Sequence, residues 1–165
     1  METFDYKFTK VNHLSSVSDE EDLLIWVFHV DKTPPDIGIS SQCVFFSLKS
    51  NGQDEIPTSK VNQIVENKSI KLIKIKLRYS FPPSALKQVF ANYTSATSAV
   101  CSCLIPIREA LQITENVQKL ASLLKHLETH NKIEGWYAEN VSFEEAGIRP
   151  YEIHDIEKRL DLLNA

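Results

Sequence analysis

The sequence predicts an α+β fold, one domain with a mostly antiparallel sheet packed against C-terminal helices. Three observations predict it. Leu23 to Val30 is an unbroken run of aliphatic and aromatic residues with a single histidine, His29. Ser69 to Tyr79 alternates apolar and basic residues. In the second half, apolar residues recur at helical spacing, in Val117, Leu120, Leu124 and Leu127 and again in Ile153, Ile156, Leu160 and Leu163.

Taken in order, Phe4, Tyr6 and Phe8 alternate with polar or charged residues, which suits an outer strand, and residues 15–22 are a polar loop. Leu23 to Val30 reads as a strand buried on both faces. Asp31 to Pro35 ends it, because consecutive prolines cannot donate to a ladder. Asp36 to Ser40 and Cys43 to Lys49 read as two short strands. Asn51-Gly52 supplies the positive-φ pair of a tight hairpin, with Glu55-Ile56 as a brief return. Thr58 or Ser59 can cap a short helix carrying Val61, Ile64 and Val65 on one face, and Ser84 a second carrying Leu86, Val89 and Phe90.

The alternation over Ser69 to Tyr79 places Ile73, Ile75 and Leu77 on one side and Lys74, Lys76 and Arg78 on the other. Residues 92–100 are small and polar, a loop or a strand in a tight place. Pro106 suits the first turn of a helix, where its missing N–H costs nothing. Glu115 to His130 reads as a helix, Ile133 to Val141 as a strand or ordered loop, and Ser142 with Glu145 as a capping box. Pro150 precedes the last helix. No repeat, linker or low-complexity block divides residues 1–165.

Composition bounds the function. The 165 residues, 42% hydrophobic and 24% charged, suffice for one core. A net charge of −4 gives no general attraction to nucleic acid or anionic membrane. The longest apolar run falls far short of a bilayer span of about 20 residues. The first residues lack the basic flank and apolar centre of a secretion signal, so a cytoplasmic location is expected. Three cysteines, Cys43, Cys101 and Cys103, then read as reduced thiols, and the sequons at Asn67, Asn92 and Asn140 as chance matches. Four glycines, at 38, 52, 135 and 147, form no nucleotide-binding pattern, and neither a nucleophile elbow nor an H-E-x-x-H motif occurs. No cofactor is expected.

The residues with chemical potential cluster around Val100-Cys101-Ser102-Cys103-Leu104-Ile105-Pro106. A thiol just before a helix N-terminus feels the positive end of the dipole, which lowers its pKa, so Cys103 is a candidate nucleophile and His29 its best candidate base. The competing reading is that Cys103 is a small buried hydrophobe. His126 and His130, four apart, share a helix face at a spacing able to hold a metal, with a third ligand to come from His154 or Cys43. With Lys125 and Lys132 they also read as cations offsetting a helix C-terminus, and on that reading no metal site is assigned. Lys68, Lys71, Lys74, Lys76 and Arg78 form the basic run, read as the solvated face of an edge strand. Trp136 and Tyr137 serve as an aromatic binding anchor or as a lid on the core.

The strand Pro35-Asp36-Ile37-Gly38-Ile39-Ser40, the strand Val44-Phe45-Phe46-Ser47-Leu48 and a later helix opened by Cys103 resemble the order of parts in circularly permuted NlpC/P60-type papain-like cysteine hydrolases. The likeness spans the middle half of the chain and implies a histidine on an early strand ahead of a nucleophilic cysteine. Asp36 stands where that histidine would be, and an aspartate cannot act as an imidazole near neutrality. The resemblance therefore implies a papain-like fold and a pseudoenzyme. The expected function is a non-enzymatic binding or regulatory module for a protein or small-molecule ligand, with Asp36, Trp136 and Tyr137 as candidate binding residues. A cysteine hydrolase or acyltransferase using Cys103 is the alternative.

Overall fold

The unbroken apolar run from Leu23 and the alternating segment from Ser69 lie side by side in one seven-stranded sheet. The structure, a computed structural model, describes residues 3–13, 17–98 and 102–163. In chain order the strands are β1 (Tyr6–Lys7), β2 (Val11–His13), β3 (Leu24–Phe28), β4 (Asp36–Ser41), β5 (Val44–Lys49), β6 (Gly52–Pro57), β7 (Leu72–Leu77), β8 (Ile133–Glu139) and β9 (Gly147–Ile148). The helices are α1 (Thr58–Lys68), α2 (Pro83–Phe90), α3 (Ile105–Ala110), α4 (Leu120–Thr129) and α5 (Ile153–Leu163). The sheet runs β2-β8-β7-β3-β4-β5-β6 and is antiparallel except where β2 lies parallel to β8. The pair β1–β9 stands apart from it. This is the α+β domain with a mostly antiparallel sheet that the patterning predicts.

Each face of the sheet has its own core. Ile25, Val27, Ile37, Ile39, Phe46, Leu48, Ile73 and Ile75 form one floor, packed against the apolar residues of α2 to α5. Leu24, Trp26, Phe45 and Leu72 form the other, covered by Val61 and Val65 of α1. Helices therefore cover both faces, and α1 adds a layer beyond the C-terminal helices that the sequence patterning foresees. The two-faced burial of Leu23 to Val30 holds, with Leu24 to Val27 fully enclosed.

That second layer corrects the basic run. β7 lies between β8 and β3 as an interior strand, and Lys74 is only 2% exposed. Its Nζ donates to Asp19 Oδ1 at 2.7 Å and Asn62 Oδ1 at 3.0 Å, and stands 3.8 Å from the centre of the Trp26 ring. Lys76 pairs with Asp22 and Glu134, so residues 17–22 are pinned across the sheet by their carboxylates. Lys74 is thus committed to internal partners, and Lys76 to carboxylates nearer the surface.

Several boundaries move. Lys49 pairs with Gly52, so Ser50 and Asn51 make the hairpin turn and Gly52, at φ 139°, opens β6. Pro57 and Pro82 occupy the N-cap positions of α1 and α2, so neither Thr58, Ser59 nor Ser84 caps by its side chain. The helix expected from Glu115 starts at Leu120, where the Tyr151 hydroxyl accepts its first backbone N–H. The Ser142–Glu145 capping box forms as predicted, around a 3-10 turn at Phe143–Glu145. Phe4, Tyr6 and Phe8 do flank a strand, but it pairs with β9 outside the main sheet. Gly38 is required by packing, because a Cβ there would lie 2.2 Å from the Phe45 ring.

Candidate functional site

The antiparallel order brings the end of β3, the start of β4, the end of β5 and the start of β6 to one margin of the sheet. The strand ends leave a cleft of about 600 Å³ there, within the roughly 300–1,000 Å³ typical of small-molecule sites. Its lining comes from both faces of the sheet, so the cleft wraps around the margin: Phe28, Phe45, Ile56 and Val61 belong to the α1 side, and Ile37, Leu48, Cys103 and, from α5, Ile156 and Leu160 to the other. Its lips hold apolar side chains in water, with Ile64 45% and Leu163 56% exposed. No helix among the described residues is long and apolar enough to cross a membrane.

Several polar groups of the cleft are paired with one another. Arg159 of α5 binds both carboxylate oxygens of Asp36 at 2.9 Å and donates to the Pro34 carbonyl at 2.6 Å. This clasp ties the last helix to the first residue of β4. Asp54 closes a second edge through Lys49 at 3.1 Å and accepts from Ser47 Oγ at 3.4 Å.

Cys103 lies one residue before the N-cap of α3, close to where the sequence places it, yet its chemistry is the reverse of the dipole expectation. Burial first, and then the negative charge of Asp36, push the thiol up to about 11, against smaller lowering effects from the Ile37 backbone N–H and Arg159. The helix is six residues long and opens on Ile105 and Pro106, so it offers the sulfur little dipole. At neutral pH Cys103 is a thiol. Val100 and Cys101 lie outside the described residues.

His29 lines the same cleft, just past β3 in a left-handed backbone conformation at φ 53°. Burial and the neighbouring Lys32 lower its pKa, while Asp36 and Asp31 oppose them. Among the described residues no hydrogen bond joins His29 to Cys103. The Asp36–Arg159 pair reaches both groups with opposed effects: the carboxylate raises the cysteine and the histidine, and the guanidinium lowers both.

The other candidates separate in space. Trp136 and Tyr137 sit on β8 and do not line the cleft. Trp136 packs edge-on against Tyr6 and Phe8, with its Nε1 buried and without a hydrogen-bond partner among the described residues, as a lid on the core. His126 and His130 lie at the opposite end of α4 from the cleft and stack on one another. Among the described residues no three histidines, cysteines or carboxylates converge on a common point. The cleft residues that sequence reading missed, Arg159 and Tyr151, carried no motif; their only signal was a helical repeat that places Arg159 beside Ile156 and Leu160.

No family model, no curated protein and no solved structure matches this chain.

Proposed function

We propose that this chain is a non-enzymatic binding module whose ligand, a small molecule with an apolar body, seats in the cleft at the sheet margin, where residues of α1 line one side and residues of α5 the other. The observation that carries the reading is the state of Cys103, a neutral thiol facing a carboxylate that arginine already holds. A nucleophile needs the opposite environment, a base that takes its proton and a field that favours the thiolate. The apolar walls and exposed lips support ligand burial. On the same reading Asp36 fills the position of a lost histidine, and the chain is an inactive cytoplasmic relative of papain-like hydrolases.

Titration with the fluorescent probe anilinonaphthalene sulfonate tests this. Binding should weaken at least tenfold in Ile64→Glu, which puts a charge on the lip, and stay unchanged in Leu162→Glu, which is 72% exposed and outside the cleft. A native chain that does not take up the probe, or takes it up equally in both variants, refutes the proposal.

A second reading rests on one observation, that His29 and Cys103 line one cleft. There Cys103 Sγ attacks an acyl carbonyl, His29 takes the thiol proton, and backbone N–H groups hold the oxyanion. It requires the His29 ring to come within hydrogen-bond reach of the Cys103 sulfur, a bond the described residues do not make.

A further inference from the structure

We infer that His126 and His130 form a two-histidine site for a borderline divalent transition ion such as Zn²⁺ at the C-terminal end of α4. The site lies away from the cleft and stands or falls independently of it. Three features of the structure build it. The residues are one helical turn apart, and their rings stack with centroids 4.2 Å apart and planes 30° from parallel. Histidines one helical turn apart can direct one nitrogen each at a shared ion, at the usual Zn–N distance of about 2.0–2.1 Å, once the rings turn out of the stack.

The hydrogen bonds select the ligating atom. His126 Nδ1 meets Glu115 Oε2 at 3.0 Å, and His130 Nδ1 meets the His126 carbonyl at 2.8 Å. Both acceptors hold a proton on Nδ1, which leaves the Nε2 lone pair of each ring for a ligand. A carboxylate and a backbone carbonyl behind the two rings are the arrangement that orients metal-bound imidazoles and raises their basicity.

Position supplies the third feature. His126 is in the last turn of α4 and His130 is its C-cap, so an ion on these rings meets the negative end of the helix dipole. The Glu115 carboxylate adds a further negative charge beside the site. His130 is exposed, so two protein nitrogens bind the ion and water fills its remaining positions. Imidazole ligands suit Zn²⁺, Cu²⁺ and Ni²⁺ and discriminate against Mg²⁺ and Ca²⁺.

The test titrates ZnCl₂ into the full chain, labelled with ¹⁵N at histidine, with Cys43→Ser removing an exposed thiol. The expected result is that the Nε2 resonances of His126 and His130 shift together along one 1:1 isotherm, while those of His13, His29 and His154 stay in place. His130→Ala should weaken binding at least tenfold, and Glu115→Gln about tenfold by removing the carboxylate behind His126. Separate isotherms for the two rings, undiminished binding in His130→Ala, or an equal response to MgCl₂ would each overturn the site.

Discussion

Alkylation of Cys103 separates the binding module from the hydrolase most directly. The structure moves this thiol from its ordinary value of 9.0 to about 11. Since only the thiolate reacts, a rise of that size lowers the reactive fraction at pH 7 roughly a hundredfold. Partial burial of the side chain slows access further. The assay is iodoacetamide labelling of the native and the urea-unfolded chain between pH 7 and 11.5, read by mass spectrometry with fragmentation that separates Cys103 from Cys101. At pH 7 native Cys103 should react about a hundredfold more slowly than in urea, and its rate should still be climbing at pH 10. Asp36→Asn removes the second cause and leaves the first, so the midpoint should fall part of the way and remain above the ordinary value. A native midpoint at or below 8.5 would mean that something in the cleft stabilises the thiolate, and the binding-module reasoning would fail.

Four further outcomes follow from the same geometry. Lys74→Met keeps a side chain against Trp26 but deletes a buried ion pair; because Asn62 still donates to Asp19, the loss should fall near the low end of the usual range, about 3 kcal/mol by urea unfolding, and a loss below 1 would show the pair is not held as described. Burial lowers the Lys74 pKa despite Asp19, so as pH approaches 10.5 the unfolded chain keeps more protons and native stability should rise relative to Lys74→Met; a flat difference contradicts this. Glu145, held down to about 2 by Lys71 and the Ser142 N–H, stabilises the fold in full above 4.5 and progressively less as pH falls through 2; Glu145→Gln should therefore lose a few tenths of a kcal/mol at pH 6, small because the pair is open to solvent, and a smaller amount as pH approaches 2. Gly38→Ala forces a methyl into the Phe45 ring, which Trp26 and Phe28 hold edge-on, and should cost about 1–3 kcal/mol in thermal unfolding.

The fold was legible wherever one residue's neighbours along the chain decide its environment. Alternation at Ile73, Ile75 and Leu77 marked β7, and the unbroken run from Leu23 marked β3. The sequence did not say what covers each face. Lys74 looks like a solvated residue because its partners, Asp19, Asn62 and Trp26, lie 12 to 55 positions away. In retrospect β3 carried the hint, since a strand apolar on both faces demands a second layer, and the strand beside it must share that layer. The cleft was less legible still. Cys103, Asp36 and His29 were each singled out, and all three line it, but Arg159, which pairs with Asp36, lies more than 50 residues beyond the cysteine. Helix-end chemistry at Cys103 pointed the wrong way because burial outweighs the field of a six-residue helix.

The pairing of β1 with β9 and β2 with β8 has a consequence for how the chain reaches this state. Residues 6–13 have no strand partners until residues 133–148 exist, so during synthesis they wait while the hairpins of β3 to β6 close behind them. The two ends of the described chain are then sewn to each other in a late, long-range step. A truncation that removes residues 133–163 strips the opening strands of every partner and exposes the edge of β7, and the fragment should associate with itself through that bare ladder.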